Sequence, residues 1–289
     1  MVGFSGALWA QQASLQGGAA TAQRGQAPTD SDMYCAGFFT RQPIAPNLVV
    51  LSSEDGGFKN EHADRDIVYL NMGKQAISAP GGQYILVRPV KDVNPVEFFI
   101  GQRQRISQLG TLYAEVARIQ VRIVQEASAT AEILKACEPI LAGDIAIPFA
   151  SRPTPPYRAE KMMDHFAPAS GKATAMIVAS KEFESALGEG KIVYLNIGKN
   201  QGAQVGSYLR IFRSYAAADQ DAFQQAARNY PTELMEVPEG RKLTPAEVAS
   251  LPRKVVGEII LLSVEEGSST GIITFSREEV SPGDAAELE

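Results

Sequence analysis

At 289 residues, with 45% hydrophobic and 21% charged positions, the chain has the balance of a globular protein and the length of about two domains. Its net charge of −6 and scattered Lys and Arg exclude the concentrated basic face that binds a phosphate backbone or an anionic membrane surface, so nucleic acid is not an expected partner. No apolar run reaches the ~18 residues that a transmembrane helix needs.

In chain order, residues 1–10 (MVGFSGALWA) are short, apolar and uncharged. They look like the end of a secretory signal with a small residue, Ala10, at the cleavage point. Residues 11–32 carry almost no large apolar side chains and are expected to be disordered. Residues 1–32 therefore precede the expected folded part.

The most informative feature follows. Residues 67–90 (IVYLNMGKQAISAPGGQYILVRPV) and 192–215 (IVYLNIGKNQGAQVGSYLRIFRSY) align without a gap, including Gly81 with Gly206 and Arg88 with Arg213. A second shared block matches Leu109-Gly110, Glu126-Ala-Ser-Ala-Thr130 and Gly143-Asp144 to Val256-Gly257, Glu266-Gly-Ser-Ser-Thr270 and Gly283-Asp284. Units of this length, about 115 residues, fit a duplicated domain better than a solenoid repeat. The expected division is a first repeat at 33–149, a Pro-rich linker at 150–172 and a second repeat at 173–289.

Both repeats read as β structure. The Ile-Val-Tyr-Leu runs are short, β-branched and aromatic, and each stops at Asn-x-Gly. Asn71, Gly73, Asn196 and Gly198 are expected to build that turn, with each Asn side chain bonding the turn backbone. Gly81 and Gly206 precede the return strand, where a bulge or close backbone approach is expected. Residues 117–124 alternate, so Ile119, Val121 and Ile123 should be buried and Gln120 and Arg122 wet. Short strands closed by turns predict a mainly β protein of two tandem small barrels.

Cys35 opens the first repeat and Cys137 closes it, and the second repeat has neither. Joint presence and joint absence predict a disulfide, and with it an oxidising compartment. The second repeat carries an insertion at 216–247, whose 219–230 section has helical periodicity. The first has 92–108 in the same place. Phe98, Phe99, Phe223 and Tyr230 give these excursions aromatic weight suited to anchoring a partner; the alternative is that they cap their own barrels.

Catalytic signals are sparse. The two histidines, His62 and His165, stand in a polar acidic stretch and beside the linker, with no nucleophile or metal-ligand spacing around them. Glu54, Asp55, Glu61, Asp64 and Asp66 lack the Asp-x-Asp-x-Asp-Gly calcium pattern and read as an exposed acidic turn. Residues 73–82 are glycine-rich but lie between strands, whereas phosphate cradles open a helix, so Lys74 and Lys199 read as solvated turn lysines. No cofactor or metal is expected. A hydrolase reading would need only two suitably spaced carboxylates, yet no motif points to one.

The VYLNxGKxxGxxxG pattern, the strand ending in Arg, the Leu-Gly or Val-Gly strand start and the terminal Gly-Asp resemble a group of exported bacterial envelope proteins, some of which carry a LysM peptidoglycan-binding module. The same pattern resembles the C-terminal domain of a flagellar assembly protein of the outer-membrane basal body, a small SH3-like β-barrel. The resemblance implies a non-enzymatic periplasmic or outer-membrane-associated scaffold or adaptor, whose partner is an envelope protein or the cell wall. No LysM-like segment follows Gly283-Asp284 in this sequence, so a protein partner is the first expectation and a peptidoglycan or glycan ligand the second.

Overall fold

The computed structural model describes residues 27–56, 62, 64–91, 96–159, 163–214 and 244–289. The signal-like segment, the expected helix at 219–230, Phe223 and Tyr230 lie outside the described residues.

The chain is mainly β. The first sheet holds β1 (Phe38–Thr40), β2 (Val50–Ser53), β3 (Ile67–Leu70), β4 (Gln83–Pro89), β5 (Thr111–Val124), β6 (Ala129–Ala136) and β7 (Ile145–Pro148). The second holds β8 (Thr174–Ser180), β9 (Ile192–Leu195), β10 (Tyr208–Arg213), β11 (Lys254–Val264), β12 (Ser269–Ser276) and β13 (Ala285–Leu288). Three short α-helices, α1 (Asp30–Tyr34), α2 (Gln102–Leu109) and α3 (Pro245–Ser250), and one 3-10 turn at Lys199–Gln201 complete the described elements.

The first sheet runs β2-β3-β6-β5-β4-β7, with β1 added on β5. The second is a closed barrel whose order, begun at β8, is β8-β9-β12-β11-β10-β13. Position for position these orders are the same. Three residue pairs, Ala285–Met176 to Glu287–Thr174, close the second ring. In the first, a single Val49–Ile145 bridge joins the corresponding edges. The bulges correspond too: Leu86/Val87 with Ile211/Phe212, Val121/Ile123 with Leu261/Ser263, and Val50/Ser52 with Ile177/Ala179. A bulge bends its strand and sharpens the twist, which is how a short sheet curls toward closure.

Register corrects two expectations. Ala117 faces Ala136 and Gly257 faces Ser276, so Gly257 answers Ala117 and not Gly110. Gly110 instead ends α2 with φ +100°, where a Cβ would stand 2.3 Å from the Thr40 carbonyl. The cause is the longer β5, whose first residues serve β1 as a partner. Ile123 was expected inside, yet it is 55% exposed while Ile119 and Val121 are at 0%. The bulge after Val121 breaks the alternation and turns Ile123 outward.

Each sheet wraps its own aliphatic core, with Leu70, Leu86, Ile119 and Ile133 in the first and Leu195, Ile211, Ile259 and Ile273 in the second. Two further clusters join the halves. Met33, Tyr34, Ile85, Val87 and Ile145 meet Ile192, Ile260, Leu262 and Ile272. Phe39, Ile106, Leu109 and Leu112 meet Val178, Ala179 and Tyr194. The second barrel is therefore buried inside and along one outer face, and the identical Ile-Val-Tyr-Leu strand is half-buried on alternate residues in β3 but fully buried in β9. Where the second barrel has Ile260, Leu262 and Ile272, the first has Gln120, Arg122 and Glu132 at the same register, with Arg122 and Glu132 paired at 2.8 Å.

The seam is built on an N-terminal wedge. Thr29 and Asp32 form a capping box that starts α1 inside the stretch expected to be disordered, and Met33 and Tyr34 are buried. Cys35, the cap residue, is disulfide-bonded to Cys137. The linker lies along both halves: Arg152 N–H donates to Tyr34 Oη at 2.8 Å, and the Arg158 guanidinium stacks 4.3 Å from the Tyr208 ring centroid.

Candidate functional site: the outer face of the first sheet

The Asn-x-Gly turns position this face. Asn71 Oδ1 accepts from Val49 N at 2.8 Å and Asn196 Oδ1 from Met176 N at 2.6 Å. Each asparagine thus ties its strand end to the neighbouring strand across the sheet, rather than to its own turn as expected. The glycines then let the turn press on the next hairpin. A Cβ on Gly73 would meet the Gln125 carbonyl at 1.9 Å, and one on Gly198 the Glu265 carbonyl at 2.4 Å. Gly81 and Gly206 adopt φ +95° and +84°, and donate to Val121 O and Leu261 O at 2.8 Å each.

The hairpins so held are the Glu-x-Ser-x-Thr blocks. Across the first sheet, Ser52, Tyr69, Thr130 and Ile123 form one row, and Ala179, Tyr194, Thr270 and Ser263 form the matching row in the second. In the second, three hydroxyls grip the wedge. Tyr194 Oη donates to Ala36 O at 2.7 Å, Thr270 Oγ1 to Gly37 O at 2.9 Å and Ser268 Oγ to Phe39 O at 3.0 Å. All three residues are buried, and burial pushes the Tyr194 phenol pKa well above its ordinary value. In the first, Tyr69, Ser128 and Thr130 are only half-buried, and Leu51 and Ile123 beside them are 52% and 55% exposed.

The aromatic anchors expected on the excursions are placed otherwise. Phe99 is 3% exposed, its ring 3.2 Å from where a Gly283 Cβ would stand. Phe98 is half-buried, and its N–H donates to Gln102 Oε1 at 2.8 Å. Gln102, fully buried, donates to the Val178 carbonyl at 2.8 Å. The described part of this excursion is a latch onto the second barrel, so Phe99 is withdrawn as a free anchor.

A cleft of about 350 Å³ opens at the seam, with Arg41 and Leu109 on one side and Glu265 and Glu266 on the other. Arg41 Nε donates to Gln108 O at 3.0 Å. Burial raises the Glu265 pKa above its ordinary 4.5, with Lys199 opposing. The first sheet has neutral Gln125 at this position. Because the folded-state pKa is the higher one, Glu265 weakens the fold as pH rises through and above it, and has no such effect below the unfolded value. Glu265→Gln is expected to raise the melting temperature at pH 7, with the gain vanishing below about pH 4. A melting curve unchanged at pH 7 would count against this.

The Arg and Gly-Asp positions shared by the two repeats prove to be partners. Arg88 Nε and Nη2 meet Asp144 at 2.7 Å each, and Arg213 meets Asp284 at 2.6 Å in the same bidentate form. Glu115, 3% exposed, takes Arg152 Nη2 at 2.7 Å and the Gly37 N–H at 3.1 Å, and burial raises its pKa despite both. His165 Nδ1 lies 3.2 Å from the Val255 carbonyl and His62 Nδ1 3.9 Å from Asp66. Asp64 accepts from Ala136 N at 2.8 Å. Among the described residues no three His, Cys, Asp or Glu side chains gather as a metal site would need, and no helix is long and apolar enough to cross a membrane. No family model and no curated protein matches this chain.

Proposed function

We propose that the chain is a non-enzymatic, exported cell-envelope scaffold: two SH3-like barrels arisen by duplication, the second with a helical insertion, fused into one body that holds a protein partner on the first barrel. One observation carries the reading. The face that the second barrel uses to bind the first is present on the first barrel in open form, with Leu51 and Ile123 more than half exposed. Exposed aliphatics beside a half-buried tyrosine on a rigid sheet suit a protein interface. The disulfide agrees with an exported protein.

The test is a pull-down from envelope extract alongside co-sedimentation with purified cell-wall sacculi. The wild-type chain is expected to capture a discrete protein, and the Leu51→Glu/Ile123→Glu variant to lose it while melting normally. Binding to sacculi that the variant retains would replace the scaffold with a peptidoglycan-binding module, and substrate turnover would replace both.

A further inference from the structure

Tyr194, Ser268 and Thr270 read the main chain: their hydroxyls meet the carbonyls of Ala36, Gly37 and Phe39. Tyr69, Ser128 and Thr130 are the same three residue types at the same register on the first barrel. Nothing in the barrel's own packing calls for hydroxyls there, since the core is lined by the inward aliphatics of these strands. Among the described residues, Tyr69 Oη and Ser128 Oγ have no hydrogen-bond partner. Thr130 Oγ1 accepts from Gln125 Nε2 at 3.0 Å, which leaves its own proton to donate.

We propose that Tyr69, Ser128 and Thr130 form a peptide-binding site that grips the backbone carbonyls of an extended segment of a partner protein, with glycine over the Tyr69 hydroxyl. The chain's own wedge defines that chemistry. Gly37 has φ +72°, and a Cβ there would stand 2.9 Å from the Tyr113 carbonyl and 3.0 Å from the Tyr194 hydroxyl, so a larger residue would crowd the hydroxyl donor as well as the wedge's own strand partner. The surroundings set the difference between the two sites. Around the buried hydroxyls lie Ile260, Leu262 and Ile272; around the open ones lie Gln120, Arg122 and Glu132. The first grip is part of the fold, whereas the second is wet, reversible and suited to a segment with polar flanks. The proposal rests on reading this face as a docking surface, and names what docks.

The test titrates the disulfide-intact full chain with a blocked peptide of residues 33–41 carrying Cys35→Ser. Saturable binding is expected, weakened at least about tenfold by Tyr69→Phe/Ser128→Ala/Thr130→Val, which removes three hydrogen-bond donors at once. Gly37→Val in the peptide is expected to weaken it comparably. The triple variant should melt within about 2 °C of wild type, as surface substitutions do; should it not fold, Tyr69→Phe alone, which removes no volume, serves with a smaller loss. No saturation by about 1 mM, or equal binding by the hydroxyl-deleted chain, overturns the proposal. Concentration-dependent self-association lost in the same variant would overturn it in favour of a second copy as the occupant. A partner captured from extract that Leu51→Glu/Ile123→Glu loses but the hydroxyl-deleted chain keeps would leave the scaffold reading standing and this one fallen.

Discussion

Replacing Cys35 and Cys137 with serine is expected to lower stability by about 4–5 kcal/mol in the chain-entropy account of a loop this long. The bond spans 102 residues, close to the whole first repeat. It anchors the end of α1 to the turn after β6, where Cys137 N–H also donates to the Val116 carbonyl at 2.8 Å. What it fixes is the wedge, because Ala36, Gly37 and Phe39 follow directly. The loss should therefore be local before it is global. Reduced protein is expected to show faster amide exchange in β9 and β12, which grip the wedge, ahead of the inner strands. A denaturation midpoint that reduction leaves unchanged would show that the wedge is held without the bond. The second repeat has Arg277 where the first has Cys137: both backbone N–H groups donate to the matching carbonyls, Val256 and Val116, at 2.8 Å. That repeat has no need of a staple, since its outer face is already clamped against the first.

Asp284→Ala is expected to cost about 3–5 kcal/mol, the usual range for a buried charge that loses its partner. Asp284 holds both Arg213 nitrogens and also accepts from Ser281 N at 2.8 Å, while Arg213 Nη2 reaches the Glu279 carbonyl at 2.7 Å. Removing the carboxylate takes away the guanidinium's bidentate partner and leaves the Ser281 N–H unsatisfied at once. Asp144→Ala should behave alike, since Arg88, Leu141 N and the Pro139 carbonyl repeat the arrangement. Equilibrium denaturation of both variants measures this. A loss below about 1 kcal/mol in either would mean that the clasp behaves as a solvated surface pair.

The inner halves of both sheets were legible because their signal is local. Ile-Val-Tyr-Leu followed by Asn-x-Gly marks where a strand must stop, and the cysteine pair could be inferred from its joint absence elsewhere. The seam was less visible. Its signature is a dense apolar stretch, Val255 to Val264, interrupted by Gly257, Glu258 and Ser263, beside the alternating 117–124. That contrast says one strand is covered on both faces, yet not by what. Asn71 and Asn196 stand out in the sequence as turn formers, but their partners do not, because a bond 22 or 20 residues away leaves no trace in a local turn pattern. Tyr, Ser and Thr recur at matching places in both repeats, yet only the pairing of strands shows that the second set is buried against the wedge and the first half-buried. The shared Arg and Asp positions carried the clasps in the same way; only the long-range pairing of strands brings them together.

The first sheet and the closed barrel meet head to tail, one outer face against a different surface of its neighbour, a kind of contact that can continue into a fibre. The geometry here stops after one step. The first sheet receives the barrel on Ile85, Val87, Ile145 and the wedge, whereas the barrel itself has Arg210 in the place of Ile85 and Glu287 in that of Ile147. Arg210 and Arg253 pair with Glu287, Arg158 and Arg210 pair with Glu289, and Arg158 pairs with Glu258. A third barrel would have to desolvate this self-paired charge lattice with nothing to offer in return. The array therefore stops at two units, its far pole closed by a cap of mutually paired charges.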